Sequence, residues 1–439
     1  KQTKHANVNL QSQHSTATQH RIQTKYVQSL VMQLIEEIRV KLNKKSGSVS
    51  ECKGMDEAVE KTVQECLEPL GYKFIKKIGE GSYANVYSTK YTKDGVTIPM
   101  ACKILRTDKV GGDDHSMKFV TRELNITLNT YHPDIIHTFS VFQRSAIFMI
   151  FMRNAEYGNV TNFLIKHGPV KEKVARFWTR QTASALMYLH ELDLVHRDMK
   201  CDNLLITVNH NVKVADFGFA RFTLDMNGKN CKCTTYCGSI PYTAPEILKG
   251  VPYDGKPTDV WSLGCILFVM LNKKLPFKSN NNYTKLYQEQ NARKYVWVEK
   301  ALEVTSKECV EIMSKLLDPN PRNRITCEEF LNSTWVKMDP KLVKNTEAEK
   351  QALENAYVRR NDIKPYKMVK INPDTKNQLK ILSQDNKQWA SAKDLQQVMV
   401  NTFEEEPKPP AKDEDRPIIV SETEETKPGK TQRSPQRTA

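Results

Sequence analysis

The distribution of apolar and polar positions divides the chain into a polar start, a strand-rich stretch, a long helical stretch and a polar end. Residues 1–24 hold too few apolar side chains to bury a core, which predicts disorder. From Tyr26 to Leu42 the pattern changes: Val27, Leu30, Val31, Leu34, Ile35, Ile38 and Leu42 recur at three and four, one stripe of an amphipathic helix. Two uses fit such a stripe, packing on the folded domain or docking a partner protein. A second helix is predicted over 55–67, ended by Pro69 and Gly71. Short strands then follow at 74–78, around a glycine turn to Tyr87, at 98–105 and at 147–152. Residues 173–192 predict a long buried helix, with Ala175, Trp178, Ala183, Leu186, Met187 and Leu189 at helical spacing. A hairpin over 206–214 turns at Asn209-His210-Asn211, and Asp259 opens another buried helix. Past Met338 periodicity fades, apart from a helix predicted at 346–358, and residues 404–439 are charged and disordered in expectation.

Composition narrows the classes. The formal charge is +15, but Lys and Arg are spread along the chain without an interleaved basic and aromatic block, so no nucleic-acid partner is expected. Residues 1–35 lack Asp and Glu, yet with Gln and His common they read as a plain tail rather than a transit peptide. The longest apolar runs, 146–152 and 263–271, fall far short of the ~20 residues of a membrane span. Ten scattered cysteines point to a reducing, cytoplasmic setting. Cys231, Cys233 and Cys237 lack the second ligand pair that zinc needs.

Chemistry concentrates between Val195 and Leu205, where Asp198, Lys200 and Asn203 fall on one tight loop. A proton acceptor, a fixed cation and a metal-ligand amide at that spacing are what phosphoryl transfer to a hydroxyl requires. Upstream, Gly79 and Gly81 let backbone approach an anion closely. Downstream, Asp216-Phe217-Gly218 stands thirteen residues after Asn203.

The order His196-Arg197-Asp198, Asn203, Asp216-Phe217-Gly218 and Ala244-Pro245-Glu246 resembles the protein kinases over roughly residues 72–338. Lys200 and Gly238-Ser239 resemble serine/threonine rather than tyrosine kinases. The runs 216–220, 236–239, 250–254 and 260–267 resemble the testis-specific serine kinases, of the calcium/calmodulin-dependent kinase group.

The resemblance implies an α+β, bilobal kinase fold: an N-terminal extension 1–70, a small β-rich lobe 71–152 with one key helix, and a larger helical lobe 153–338; the tail 339–439 is expected to be mostly disordered apart from the helix at 346–358. It implies ATP and Mg²⁺, with Asn203 and Asp216 as metal ligands, Asp198 and Lys200 at the reaction, and Lys103 paired to Glu123. Ile78, Gly79, Glu80, Gly81, Ser82, Tyr83, Ala84, Asn85 and Val86 would cover the nucleotide. Ala101 and Leu205 would sandwich the purine with Val86, Ala155 would lie in the hinge, and Met152 would gate the pocket behind it. Substrates would be protein serines and threonines, and Arg197 would pair with a phosphate placed on Thr235 by an upstream kinase or by autophosphorylation. Asp259 would hold the catalytic-loop backbone and Arg324 would pair with Glu246. Several positions depart from the family pattern. Ala84 replaces a third glycine, Arg153 and Asn159 replace acids, and Thr127 replaces an apolar residue, which predicts a looser helix around Glu123. These departures leave a second reading, a pseudokinase or ATP-binding scaffold without catalysis.

Overall fold

The computed structural model describes residues 57–81, 84–107, 114–225, 227–278, 282–360 and 380–384. The stripe at 26–42, the charged end from 404, and Ser82 and Tyr83 lie outside the described residues.

Helix α1 (Glu57–Thr62) runs on through a wider turn, Val63–Leu67, and a tight one, Glu68–Leu70. It stops at Gly71, whose φ is 96°. A Cβ there would sit 2.3 Å from the Thr92 carbonyl oxygen, so only glycine fits. Val59, Val63 and Leu67 are buried along this segment, which packs against strand β1 (Tyr72–Glu80).

Strands β2 (Ala84–Lys93) and β3 (Val96–Arg106) form a hairpin through Asp94 and Gly95, both at positive φ as a tight turn needs. Helix α2 (Asp114–Asn129), β4 (Thr138–Arg144) and β5 (Ile147–Arg153) complete the small lobe. The alternation of side chains gives the sheet two apolar faces. Leu105, Val141, Phe148 and Ile150 meet Val120 and Leu124 of α2 on one of them. Tyr72, Phe142 and Phe151 cluster in another group, with the Tyr72 and Phe151 ring centroids 4.1 Å apart.

The large lobe is built around α4 (Glu172–Glu191) and α5 (Gly255–Asn272), preceded by α3 (Val160–His167). Trp178, Trp261 and Trp335 are fully buried in its core. Close packing is sequence-encoded: a Cβ on Gly264 of α5 would lie 2.9 Å from Leu316 Cβ on α6 (Lys307–Leu316). Between α4 and α5 the chain forms the short strands β6 (Leu194–Val195), β7 (Leu204–Ile206), β8 (Val212–Val214) and β9 (Arg221–Phe222). β6 pairs with β9 and β7 with β8, which places the loops between them side by side.

Two elements continue the packing beyond the boundary expected at Met338. Helix α7 (Glu347–Arg359) starts with a reciprocal cap between Thr346 and Glu349. Its buried face is small, Ala352 and Ala356, which brings its backbone close to α4. Glu349 is itself buried and accepts hydrogen bonds from the Arg180 guanidinium and, at 2.9 Å, from Ser184 Oγ. Strand β10 (Lys380–Gln384) then pairs antiparallel with β4, giving the sheet order β1-β2-β3-β5-β4-β10.

Candidate active site

The catalytic loop is fixed from beneath by one carboxylate. Asp259, on α5, accepts from His196 N at 2.9 Å and from Arg197 N at 2.8 Å. The Asp259 expectation therefore holds in the structure. Arg197 and Asp216 both adopt left-handed backbone, φ 66° and 68°, which costs free energy in non-glycine residues and is held by the surrounding contacts.

Within this loop Asp198 is buried and fully engaged. Its Oδ2 accepts from Lys200 Nζ at 2.7 Å, while its Oδ1 accepts from Ser239 N at 2.8 Å and Ser239 Oγ at 2.9 Å. Lys200 Nζ also donates to Ser239 Oγ at 2.9 Å. Ser239 thus ties the activation segment to the loop. From the sequence it was legible only as a mark of kinase class; the signal to its role was a hydroxyl residue fixed ahead of Ala244-Pro245-Glu246. Asn203 donates its amide to the Asp198 carbonyl oxygen at 2.8 Å, so its Oδ1 is the atom that would face a metal ion. Ala215 N donates to the Asn203 carbonyl oxygen at 2.9 Å, so the residue before Asp216 is held beside Asn203.

From the small lobe, Lys103 on β3 binds Glu123 of α2 and, at 2.9 Å, Asp216 Oδ1. Burial alone would lower the lysine pKa, but the carboxylates of Glu123 and Asp216 outweigh it and raise it. The Lys103 ammonium holds Asp216 down at about 2, whereas burial pushes Glu123 up from its ordinary value. With the Lys103–Glu123 pair closed, the looser helix expected from half-buried Thr127 is not what the structure adopts. Phe217 is buried against the core, its ring centroid 5.4 Å from that of His196.

The expected purine walls come from both lobes. β2–β3 pairing sets Val86 opposite Lys103 and Ser88 opposite Ala101, and β3–β5 pairing sets Ala101 opposite Met152. Met152 is half-buried against the cluster behind the helix. Below, an isolated bridge joins Asn159 to Leu205, and Tyr157 N donates to the Ile206 carbonyl oxygen at 3.1 Å, so the hinge around half-buried Ala155 leads onto β7. Gly79 packs against Val86, and Gly81 N donates to the Ala84 carbonyl oxygen at 2.8 Å, closing the glycine turn. Asn85 is half-buried opposite Glu80, and Ile78 is exposed. The Glu80 carboxylate turns to Lys77 at 3.1 Å. Asn159 caps α3, accepting from Asn162 N at 2.8 Å, and Arg153 lies buried with its guanidinium on the Asn154 carbonyl oxygen at 2.9 Å. Both departures from an acid thus have a local structural role.

The activation segment is anchored at its far end by Arg324, which grips Glu246 through two bonds of 2.6 and 2.9 Å. This pair was expected from the sequence. Thr235 is exposed, with its carbonyl oxygen accepting from Tyr253 Oη at 2.9 Å. Nearby, burial and then the charges of Arg197 and Arg221 lower the Arg122 pKa, which marks three guanidinium groups sharing one region.

A small-lobe lysine and its carboxylate partner, reaching a carboxylate of the large lobe that lies beside a loop carrying Asp198, Lys200 and Asn203, fit a protein kinase, and the protein kinase domain model matches residues 72–336. The chain belongs to that family. It is 35% identical to testis-specific serine/threonine-protein kinase 1 of Mus musculus over 273 residues, 62% of this chain and 73% of that protein. It is 34% identical to testis-specific serine/threonine-protein kinase 2 of Mus musculus over 273 residues, 62% and 75% of the two chains. A probable serine/threonine-protein kinase MARK-A of Dictyostelium discoideum is 35% identical over 285 residues, 64% of this chain and 26% of that one. The chain is therefore a serine/threonine protein kinase related to the testis-specific kinases.

Proposed function

We propose that this kinase is catalytically active and transfers the γ-phosphate of ATP to serine and threonine hydroxyls of protein substrates. The observation that carries this reading is the joining of two half-sites: Lys103, bound to Glu123, reaches Asp216, and the residue before Asp216 is held by Asn203 of the catalytic loop. Asp198 accepts the substrate hydroxyl proton, Lys200 steadies the transferring phosphoryl group, and Lys103 steadies the α- and β-phosphates. The purine lies between Val86, Ala101 and Leu205 under the loop 78–86, with Ala155 at the hinge and Met152 behind. Oxygen donors on Asn203 and the ionised Asp216 suit Mg²⁺, which prefers carboxylate and carbonyl ligands. When bound, Mg²⁺ neutralises charge on the phosphates. Most of the acceleration then comes from positioning and electrostatics.

The same reading extends to regulation. Phosphate on exposed Thr235, from an upstream kinase or from the protein itself, is received by Arg197, whose buried Nη1 has no hydrogen-bond partner among the described residues. Cytoplasmic residence is proposed from the scattered cysteines, a role in sperm development from the resemblance to the testis-specific kinases, and the 26–42 stripe as a partner-docking helix. The test is phosphate transfer from labelled ATP to a basic protein. Asp198→Asn is expected to lower the rate roughly 10²–10⁴-fold, and Lys103→Ala or Asp216→Asn to abolish transfer while the fold survives. An undiminished rate in any of the three refutes the roles given. A peptide library read with phosphorylated Thr235 and with Thr235→Ala tests the switch.

A further inference from the structure

The tail strand β10 forms the border of the small-lobe sheet at the end opposite β1. Backbone pairing sets Lys380 opposite Gln143 and Ile381 opposite Phe142. The register then slips: Ser383, not Leu382, stands opposite Val141. A bulge of this kind re-aims the extra side chain. Leu382 is accordingly half-buried, packed against the cluster that contains Val120 and Leu124 of α2 together with Val141, Phe148 and Ile150. Glu123 lies between Val120 and Leu124 on that helix, and its carboxylate is the one that holds Lys103. The tail meets α2 a second time at its C-terminal end, where Arg359 Nη2 reaches Asn129 Oδ1 at 3.4 Å.

We propose that Leu382, presented by the β10 strand, is a positioning residue that holds helix α2 inward and so keeps Glu123 on Lys103. The need for such a support is visible in the helix itself. Thr127, on the same helical stripe as Val120 and Leu124, brings a hydroxyl to that half-buried position, and the pair is nevertheless closed. Leu382 adds apolar contact to that stripe, inside the same cluster as Val120 and Leu124. The inference rests on the reading of Lys103 as the phosphate-binding lysine.

Removing the support leaves α2 free to swing away, so that only a fraction of molecules presents the closed pair. Apparent nucleotide affinity then falls by that fraction, while nucleotide at saturation pulls the population back. Partial burial of one leucine corresponds to roughly a 5- to 10-fold bias between the two helix positions. In the full chain, Leu382→Asp is therefore expected to raise KM for ATP about 5- to 10-fold at a kcat close to the parent's, and Leu382→Met to restore the parent KM. A merely structural loss would lower kcat through fewer folded molecules and leave KM in place. Amide hydrogen exchange over 114–129 is expected to quicken in Leu382→Asp and not in Leu382→Met. A chain ending at Arg360 is expected to recover its ATP affinity on addition of a synthetic 376–388 peptide, and not with the same peptide carrying Leu382→Asp. An unchanged KM, or unchanged exchange across α2, overturns the proposal. Should the parent chain transfer no phosphate, the reading of activity fails on its own, and ATP binding with helix exchange still decides the role of Leu382.

Discussion

Ser239 shows how a single hydroxyl links two functions. Its N–H and Oγ–H both reach Asp198 Oδ1, and Oγ also receives Lys200 Nζ, so the carboxylate proposed to take the proton and the cation proposed to follow the phosphate share one anchor on the activation segment. Hydrogen bonds to a charged group contribute about 1.5–3 kcal/mol, more than the 1.4 kcal/mol of a tenfold change. Ser239→Ala is thus expected to lower kcat at least about tenfold with little change in KM for ATP, and Ser239→Thr to retain most of the rate; steady-state kinetics on one peptide substrate read both. The polar residues of the catalytic loop were legible in the sequence because they fall in one short contiguous motif with fixed spacing, as Asp198, Lys200 and Asn203 do. Ser239 was not given its role, because its partners lie about forty positions away and no local pattern names them. Glu80 shows the reverse: chain position puts it in the nucleotide loop, while its side chain is committed to Lys77.

Among the elements, helix α7 carries the clearest energetic commitment. Burial pushes the Glu349 carboxyl up, but the Arg180 guanidinium, the Thr346 cap and other charges more than reverse this and hold it down at about 2. The sign follows directly: stability from this ionised carboxylate is fully present above its ordinary value of 4.5 and is lost as pH falls toward 2. Removing one partner strands the other's charge in the core, so Glu349→Ala is expected to lower unfolding free energy by about 3–5 kcal/mol, read as a lower urea midpoint. Replacing both, Arg180→Met with Glu349→Leu, is expected to recover most of that loss, since a well-packed apolar pair is often no worse than a buried ion pair. A helix at 346–358 was expected from the sequence, but its packing was not legible there. A glutamate flanked by Glu347 and Lys350 reads as solvated surface, and only the tertiary position of Arg180 turns it inward. β10 escaped for the same reason, as a strand's partner edge is not written in its own residues.

At the scale of the whole molecule, acid sensitivity should begin well above the range of the carboxylates. Burial lowers both His132 and His137 to about 3, so each stays neutral in the folded chain and titrates at the ordinary 6.5 once unfolded. Their folded pKa values lie below the unfolded one, so stability is complete above 6.5 and declines as pH drops toward 3. Between pH 7 and pH 5 each is expected to cost about 2 kcal/mol, about 4 kcal/mol together, visible as a falling urea midpoint; a midpoint flat across that interval would contradict the neutral burial of both rings. The seat of β10 on β4 has another effect at this scale. A bare sheet border offers unpaired amides and carbonyls to any extended chain, including a sister molecule. By laying its own residues there, the chain shields the border from promiscuous pairing, so a copy cut short ahead of Lys380 would expose an adhesive rim and be prone to self-association.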